Sequence, residues 1–158
     1  MINQRTEMQN LTISEATDAE RNWTARLIAS SEPWITLGTT LENCLKFCND
    51  SEYKVFVAHG GSEPCGAMVI HPRGLASQPY LKSIVVDSRY RSQGVGQSLL
   101  EYAEEYFRKE YKHFFMCVSS FNPRARALYE RLGYSKVGEF DNYILEGKSE
   151  ILLHKRLR

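Results

Sequence analysis

The stretch from Val85 to Gly96 constrains this chain more than any other. An apolar run, Ile84 to Val86, passes through polar residues into Arg91, Ser92, Gln93, Gly94, Val95 and Gly96. A helical pattern follows. Val95, Leu99, Ala103 and Phe107 recur at steps of four, and Leu100 and Tyr106 widen the stripe. Gln97, Glu101, Glu104, Glu105 and Arg108 fill the opposite face. The spacing predicts a strand, a tight glycine turn and an amphipathic helix. The first turn of a helix leaves backbone N–H groups unpaired and carries partial positive charge. Gly94 and Gly96 carry no side chain, so a ligand can approach that backbone, and Arg91 adds a full charge. The chemistry implied is a cradle for a phosphate or pyrophosphate. Two glycines after a strand also occur where a turn simply opens a helix. No Gly-Lys-Ser/Thr follows, so this is not a Walker loop; the third glycine of the dinucleotide fingerprint is missing too.

With 158 residues, the chain reads as one domain spanning 1–158, with residues 1–9 as a flexible leader. A formal net charge of +1 gives no reason to expect nucleic acid. No apolar run approaches the ~20 residues that span a bilayer, and the first ten residues lack the apolar core of a signal peptide. The expectation is a cytoplasmic protein without membrane contact. Cys44 and Cys48 sit four apart with no neighbouring histidine, a poor zinc signature, and Cys65 and Cys117 fall in apolar strands. Reduced thiols and no metal are expected; His59, His71, His113 and His154 are scattered along the chain.

The rest of the chain gives an alternating plan. Leu11–Ala16 reads as a strand, and Asp18 as the N-cap of a helix to about Ser30 that Pro33 ends. Thr39-x-x-Glu42 has capping-box spacing before a helix over Leu41–Cys48. Tyr53–His59 and Cys65–His71 form a hairpin, and Pro72–Pro79 reads as a loop. Tyr80–Val86, His113–Val118, Tyr134–Phe140 and Ile151–Leu157 are further strands, with a helix over Asn122–Leu132. The order specifies an α/β fold with a mixed sheet.

The segment Asn122 to Tyr134 is the second signal. Asn122 suits an N-cap, Pro123 the first helical position and Gly133 the stop, while Ala125, Leu128, Tyr129 and Leu132 share a face. On those grounds alone Tyr129 is a core residue.

Arg91-x-x-Gly94-x-Gly96 resembles the acyl-CoA signature of the GNAT N-acyltransferase superfamily. Asn122-x-x-Ala125-x-x-Leu128-Tyr129-x-x-x-Gly133-Tyr134 resembles the element that closes its domains. The two stand in the family's order with a strand between them. The resemblance implies a mixed, mostly antiparallel sheet of about six to seven strands flanked by about four helices. It also implies acetyl-CoA as co-substrate and transfer of its acetyl group to a primary amine. By position, Arg91, Ser92, Gln93, Gly94, Val95 and Gly96 would hold the pyrophosphate through backbone N–H groups. Ile84, Val85 and Val86 would offer backbone groups to the pantetheine arm, wedged between strands Tyr80–Val86 and His113–Val118. Asn122 would contact the cofactor near the thioester. Tyr129 would protonate the departing thiolate, and the N–H of Val85 or Val86 would serve the oxyanion.

The sequence also departs from the pattern. An amine of pKa ~10 must lose a proton before attack. Lys82-Ser83-Ile84 carries no acid where relatives place one, and Cys117 stands where ribosomal-protein N-terminal acetyltransferases carry a glutamate five residues before the capping Asn122. Glu52, Glu63, Asp141 and Glu146 are the loop acids left as candidate bases. The acceptor pocket is expected from Ile28–Leu45 and the 72–79 and 141–149 loops, with Trp34, Tyr80, Tyr143, Glu32, Asp141 and Glu146. A small-molecule amine is preferred as acceptor over a lysine or α-amine of a protein. A module that binds acetyl-CoA without turnover is the third reading, and a homodimer is compatible with all three.

Overall fold

The structure, a computed structural model, describes residues 10–158; the predicted leader, 1–9, lies outside the described residues. Seven strands form one sheet: β1 (Leu11–Glu15), β2 (Lys54–Gly60), β3 (Glu63–Leu75), β4 (Gln78–Val86), β5 (His113–Ser119), β6 (Ser135–Asp141) and β7 (Ser149–Arg156). Their spatial order is β1-β2-β3-β4-β5-β7-β6, and every neighbouring pair is antiparallel except β4–β5. Five helices accompany them: α1 (Asp18–Ala29), α2 (Trp34–Leu37), α3 (Leu41–Cys48), α4 (Val95–Arg108) and α5 (Pro123–Arg131).

The central strands are apolar on both sides because both sides are covered. Val55, Val57, Ala67, Val69 and Val85 pack with Ala25, Ile28, Cys44 and Cys48 of α1 and α3. Phe56, Ala58, Met68, Ile70 and Phe114 pack on the other face with Leu99, Ala103 and Phe107 of α4 and Tyr129 of α5. The predicted stripe of α4 is buried at Val95, Leu99, Leu100, Ala103 and Phe107, whereas Tyr106 is exposed.

Several expectations are corrected. Thr17, not Asp18, caps α1: its hydroxyl accepts from Glu20 N, and Glu20 reaches back to Thr17 N. Thr40 rather than Thr39 caps α3, through Asn43 N. The predicted loop 72–79 is mostly strand, since β3 runs to Leu75 and β4 begins at Gln78. Ala76 and Ser77 turn the hairpin with φ of 49° and 61°. Turn-forming Pro72 and Gly74 masked that continuation. Glu104, predicted on the polar face of α4, is buried and ion-paired with Lys155 of β7, whose ammonium also donates to Leu132 O at 2.7 Å. A buried charge is tolerated where a partner neutralises it. The scattered histidines are not all apart: His113 Nδ1 and His154 Nε2 lie 2.8 Å from each other. The thiols are free, and among the described residues no group of three or more histidine, cysteine or acidic side chains could hold a metal ion.

The sheet opens at β4. Val69 pairs with Ser83 but Ile70 pairs with Leu81, so Lys82 is an extra residue, a β-bulge. The bulge switches side-chain parity. Leu81 faces the α4 layer, whereas Val85, an even number of residues on, faces α1 and α3. Beyond the bulge β4 loses its other neighbour, because β5 pairs with it only at Tyr80–Phe115 and Leu81–Met116. From Ser83 to Val86 the β5-facing edge of β4 is therefore unpaired.

Candidate active site

A cavity of about 580 Å³ occupies the gap where β4 and β5 part. It passes through the sheet. Tyr129 and Ala125 line it from the α4–α5 side, and Cys117 and Glu150 from the other. Trp34 of α2 and Tyr143 of the β6–β7 loop border it further out.

The glycine turn follows β4 beyond the residues that line the cavity, and neither Val85, Val86 nor any of Arg91–Gly96 is among those lining residues. Val86 leads into a 3₁₀ turn, Ser88–Tyr90, capped by Asp87, whose carboxylate accepts from Arg89 N at 3.0 Å. The Arg89 guanidinium holds the Asp87 carboxyl below its ordinary range. Ser92 and Gly94 then take φ of 62° and 83°, and α4 begins with no side chain capping it. Gly94 is in the left-handed region that glycine adopts without a steric cost. A Cβ there would meet nothing within 4 Å, and one on Gly96 would meet only Leu128 Cδ2 and Val86 Cγ2 at 3.9 Å. The surface over this helix start is open. Ser98 N bonds to Gly94 O at 3.0 Å, the first intrahelical bond, which leaves the N–H groups before it free. Arg91 is exposed, with Nε donating to Val86 O at 3.4 Å. Arg124 of α5 donates to Ser92 Oγ at 2.8 Å and ties this loop to the second motif.

Asn122 caps α5, accepting from Ala125 N at 3.3 Å, and also lines the cavity. Tyr129 is 8% exposed. Its hydroxyl makes no side-chain hydrogen bond yet is not sealed from solvent, because Tyr134 holds the one tyrosine hydroxyl that is both buried and unpartnered among the described residues. Burial pushes the Tyr129 hydroxyl up to about 12. Ile84 lines the cavity, Val85 is buried under α1 and α3, and Val86 packs partly against the α4 layer.

Of the expected acceptor residues, Glu32, Trp34, Tyr80 and Tyr143 line the cavity; Asp141 and Glu146 do not. Neither do the other loop acids: Glu52 lies beside His71 at 3.6 Å, and Glu63 starts β3 at the far hairpin. One acid escaped the sequence reading. Glu150 of β7 is 7% exposed, lines the cavity and accepts from Ser119 Oγ at 2.6 Å. Register puts it there, since Ser119 and Glu150 are directly opposed across β5–β7. Its only signal was a polar residue at a strand's start. Burial, more than the neighbouring thiol of Cys117, pushes the Tyr80 hydroxyl up, and burial likewise raises the Cys117 thiol.

The unpaired β4 edge and Tyr129 meet at one cavity, and the open start of α4 follows directly from the same strand. The model of the acetyltransferase (GNAT) family matches residues 15–134. The chain belongs to the GNAT acetyltransferase family. No curated protein matches it. A GNAT-family structure from Desulfovibrio desulfuricans superposes with a TM-score of 0.81 at 16% identity, over 94% of this chain and 100% of that one. The ribosomal-protein-S18-alanine N-acetyltransferase of Escherichia coli gives 0.78 at 21%, over 94% of each chain. An aminoglycoside 6'-N-acetyltransferase complexed with coenzyme A gives 0.75 at 19%, over 93% and 97%. At such identities the shared property is the GNAT fold. Among the described residues no helix is long and apolar enough to cross a membrane.

Proposed function

We propose that this acetyltransferase moves the acetyl group of acetyl-CoA directly to a primary amine of a small molecule. The observation that carries the reading is the gap itself: Ser83 and Ile84 of the unpaired β4 edge, Asn122 and Tyr129 line it, and β4 runs on past it into the uncapped start of α4. The thioester supplies an activated acetyl carbon and a thiolate leaving group. The chain does the rest. The N–H groups at Val95, Gly96 and Gln97, with Arg91 beside them, hold the pyrophosphate at the positive end of α4. The free backbone of Ile84–Val86 takes the pantetheine arm as an added strand would be taken. Asn122 fixes the cofactor near its reactive end. An N–H of Val85 or Val86 serves the oxyanion of the tetrahedral intermediate. Tyr129, its proton held firmly by burial, gives that proton to the sulfur.

A small acceptor is favoured because 28–45 is not an open rim. It folds into α2 and α3, and Trp34, Leu37 and Phe47 wall the cavity. The test is an amine screen read by free CoA release, with aminoglycosides, polyamines, arylalkylamines, amino acids and alanine-terminated peptides. Turnover of small amines well above the peptides is expected. Transfer confined to peptides would overturn the small-molecule assignment, and no transfer to any amine would overturn the reaction.

A further inference from the structure

We propose that Glu150 is the carboxylate that receives the acceptor's ammonium and takes its proton, so that the acceptor is a primary ammonium on an apolar or aromatic body. This deepens the reaction proposed above and rests on it. The two motifs do not contain the residue, and the sheet register places it.

Glu150 lies on β7 opposite Ser119 of β5, on the sheet face turned away from α4. Tyr129 reaches the same cavity from the α4–α5 side. A thioester held in the gap would therefore have its proton donor on one side of the sheet and a carboxylate on the other. Direct transfer needs that disposition, because the amine enters on the opposite side from the group that assists the sulfur.

The carboxylate also lacks a counter-ion. It is 7% exposed, its hydrogen bond is to the neutral Ser119 hydroxyl, and among the described residues no lysine or arginine pairs with it. A buried charge costs a great deal unless it is paired. The other groups around it do not supply the charge. Cys117 of β5, Tyr80 of β4 and Tyr143 of the β6–β7 loop are neutral when protonated, and Glu32 across the cavity is acidic. Lys82, the one lysine or arginine among the described residues that lines the cavity, holds its ammonium 4.8 Å from the centre of the Phe47 ring. His154, further along the same face of β7, is hydrogen-bonded to His113. A cationic ligand would complete the site, and the rings of Trp34, Tyr80, Phe140 and Tyr143 suit its organic body.

The step balances. The ammonium nitrogen sheds two protons on becoming an amide. The first passes to Glu150 and on to solvent, which frees the lone pair to attack the acetyl carbon. The C–N bond forms, the C–S bond breaks and Tyr129 protonates the sulfur. The second nitrogen proton restores Tyr129.

The test compares the wild type with Glu150→Gln, which can still accept from Ser119, and Glu150→Asp, which keeps the charge. Acceptors are 2-phenylethylamine, tyramine, spermidine, kanamycin, L-lysine and an alanine-terminated peptide. With the fastest of these, Glu150→Gln should lose 10²-fold or more in kcat/KM at pH 7, with acetyl-CoA affinity unchanged. Its remaining rate should rise about tenfold per pH unit towards the pKa of the amine, where the wild type levels off. Glu150→Asp should keep the levelling at a reduced rate. A Glu150→Gln rate within threefold of wild type, with the wild-type pH profile, would overturn the assignment of Glu150 while leaving the reaction intact. A wild type that acetylates none of these amines would count against the reaction instead, and binding then decides on Glu150. By calorimetry in the presence of CoA, 2-phenylethylamine should bind at least tenfold tighter than neutral 2-phenylethanol, and Glu150→Gln should erase that preference. Equal affinities in the wild type would overturn the proposal.

Discussion

Two helices begin beside the same gap, and they begin in opposite ways. The start of α5 is closed by its own sequence: Oδ1 of the Asn122 side chain accepts from Ala125 N, and Pro123 removes an N–H that would otherwise need a partner. The start of α4 has neither device. Gly94 stands at its cap in a left-handed conformation, no side chain reaches back, and Gly96 leaves the next turn bare. On the function proposed above, the difference teaches that donors are left unsatisfied where the cofactor would satisfy them and are satisfied where a side chain is to be held still. Asn122 and Tyr129 ride on the closed helix, so their positions do not wait for the cofactor.

The sharpest way to break the contrast is to fill the open start. Gly96→Val places methyl groups where phosphate oxygens must approach, while its Cβ meets nothing nearer than 3.9 Å. Acetyl-CoA affinity should fall by roughly 10²-fold or more, about 2.7 kcal/mol, with the melting temperature retained. Calorimetry showing wild-type affinity in the folded variant would end the assignment of this loop.

Next comes the group that the closed helix carries. Tyr129→Phe should lower kcat by on the order of 10²-fold and leave acetyl-CoA binding nearly unchanged. Thioesters with a more acidic leaving thiol should regain most of the loss. The sign of the pH effect follows from burial. A hydroxyl raised to about 12 keeps its proton throughout the neutral and mildly alkaline range, so its loss adds no falling limb to kcat below about pH 11. A limb in the wild type near pH 9 that Tyr129→Phe removes would contradict that environment.

Removing the cap itself should act mainly on stability. Asn122→Ala loses the bond to Ala125 N, at a cost of about 1 kcal/mol, or roughly 2–4 °C in melting temperature. A kcat loss larger than the stability loss would show that Asn122 also touches the cofactor. The smallest effect belongs to Arg91→Ala. The side chain is exposed and adds charge to a site built from backbone. A several-fold loss of CoA affinity and a weaker dependence on salt are expected, by titration at two ionic strengths.

What the sequence by itself determined is local. The step-of-four stripe from Val95 to Phe107, the turn chemistry of Gly94 and Gly96 and the cap, proline and stop of Asn122–Gly133 each involve residues within a turn or two of one another. Periodicity and backbone preference act at that range, so they are readable in order along the chain. Even there the margins slip, as when Thr17 rather than Asp18 caps α1, because adjacent residues of similar chemistry compete for one position.

What only the tertiary structure decided is which distant residues meet. The bulge at Lys82 comes from a register between β3 and β4 that no local pattern encodes, and it turns an ordinary strand into one with a free edge. Glu104 looked solvent-facing until β7 brought Lys155 to it. Glu150, just before the predicted strand Ile151–Leu157, drew no reading from the sequence, while the acids that stood out, Asp141 and Glu146, fell at the exposed end of β6 and on the β6–β7 loop, outside the cavity. The physical reason is common to the two carboxylates. A carboxylate's role is set by what surrounds it, and here those surroundings come from strands more than 30 residues away in sequence: Lys155 of β7 for Glu104, and Ser119 of β5 for Glu150, with |i−j| = 31.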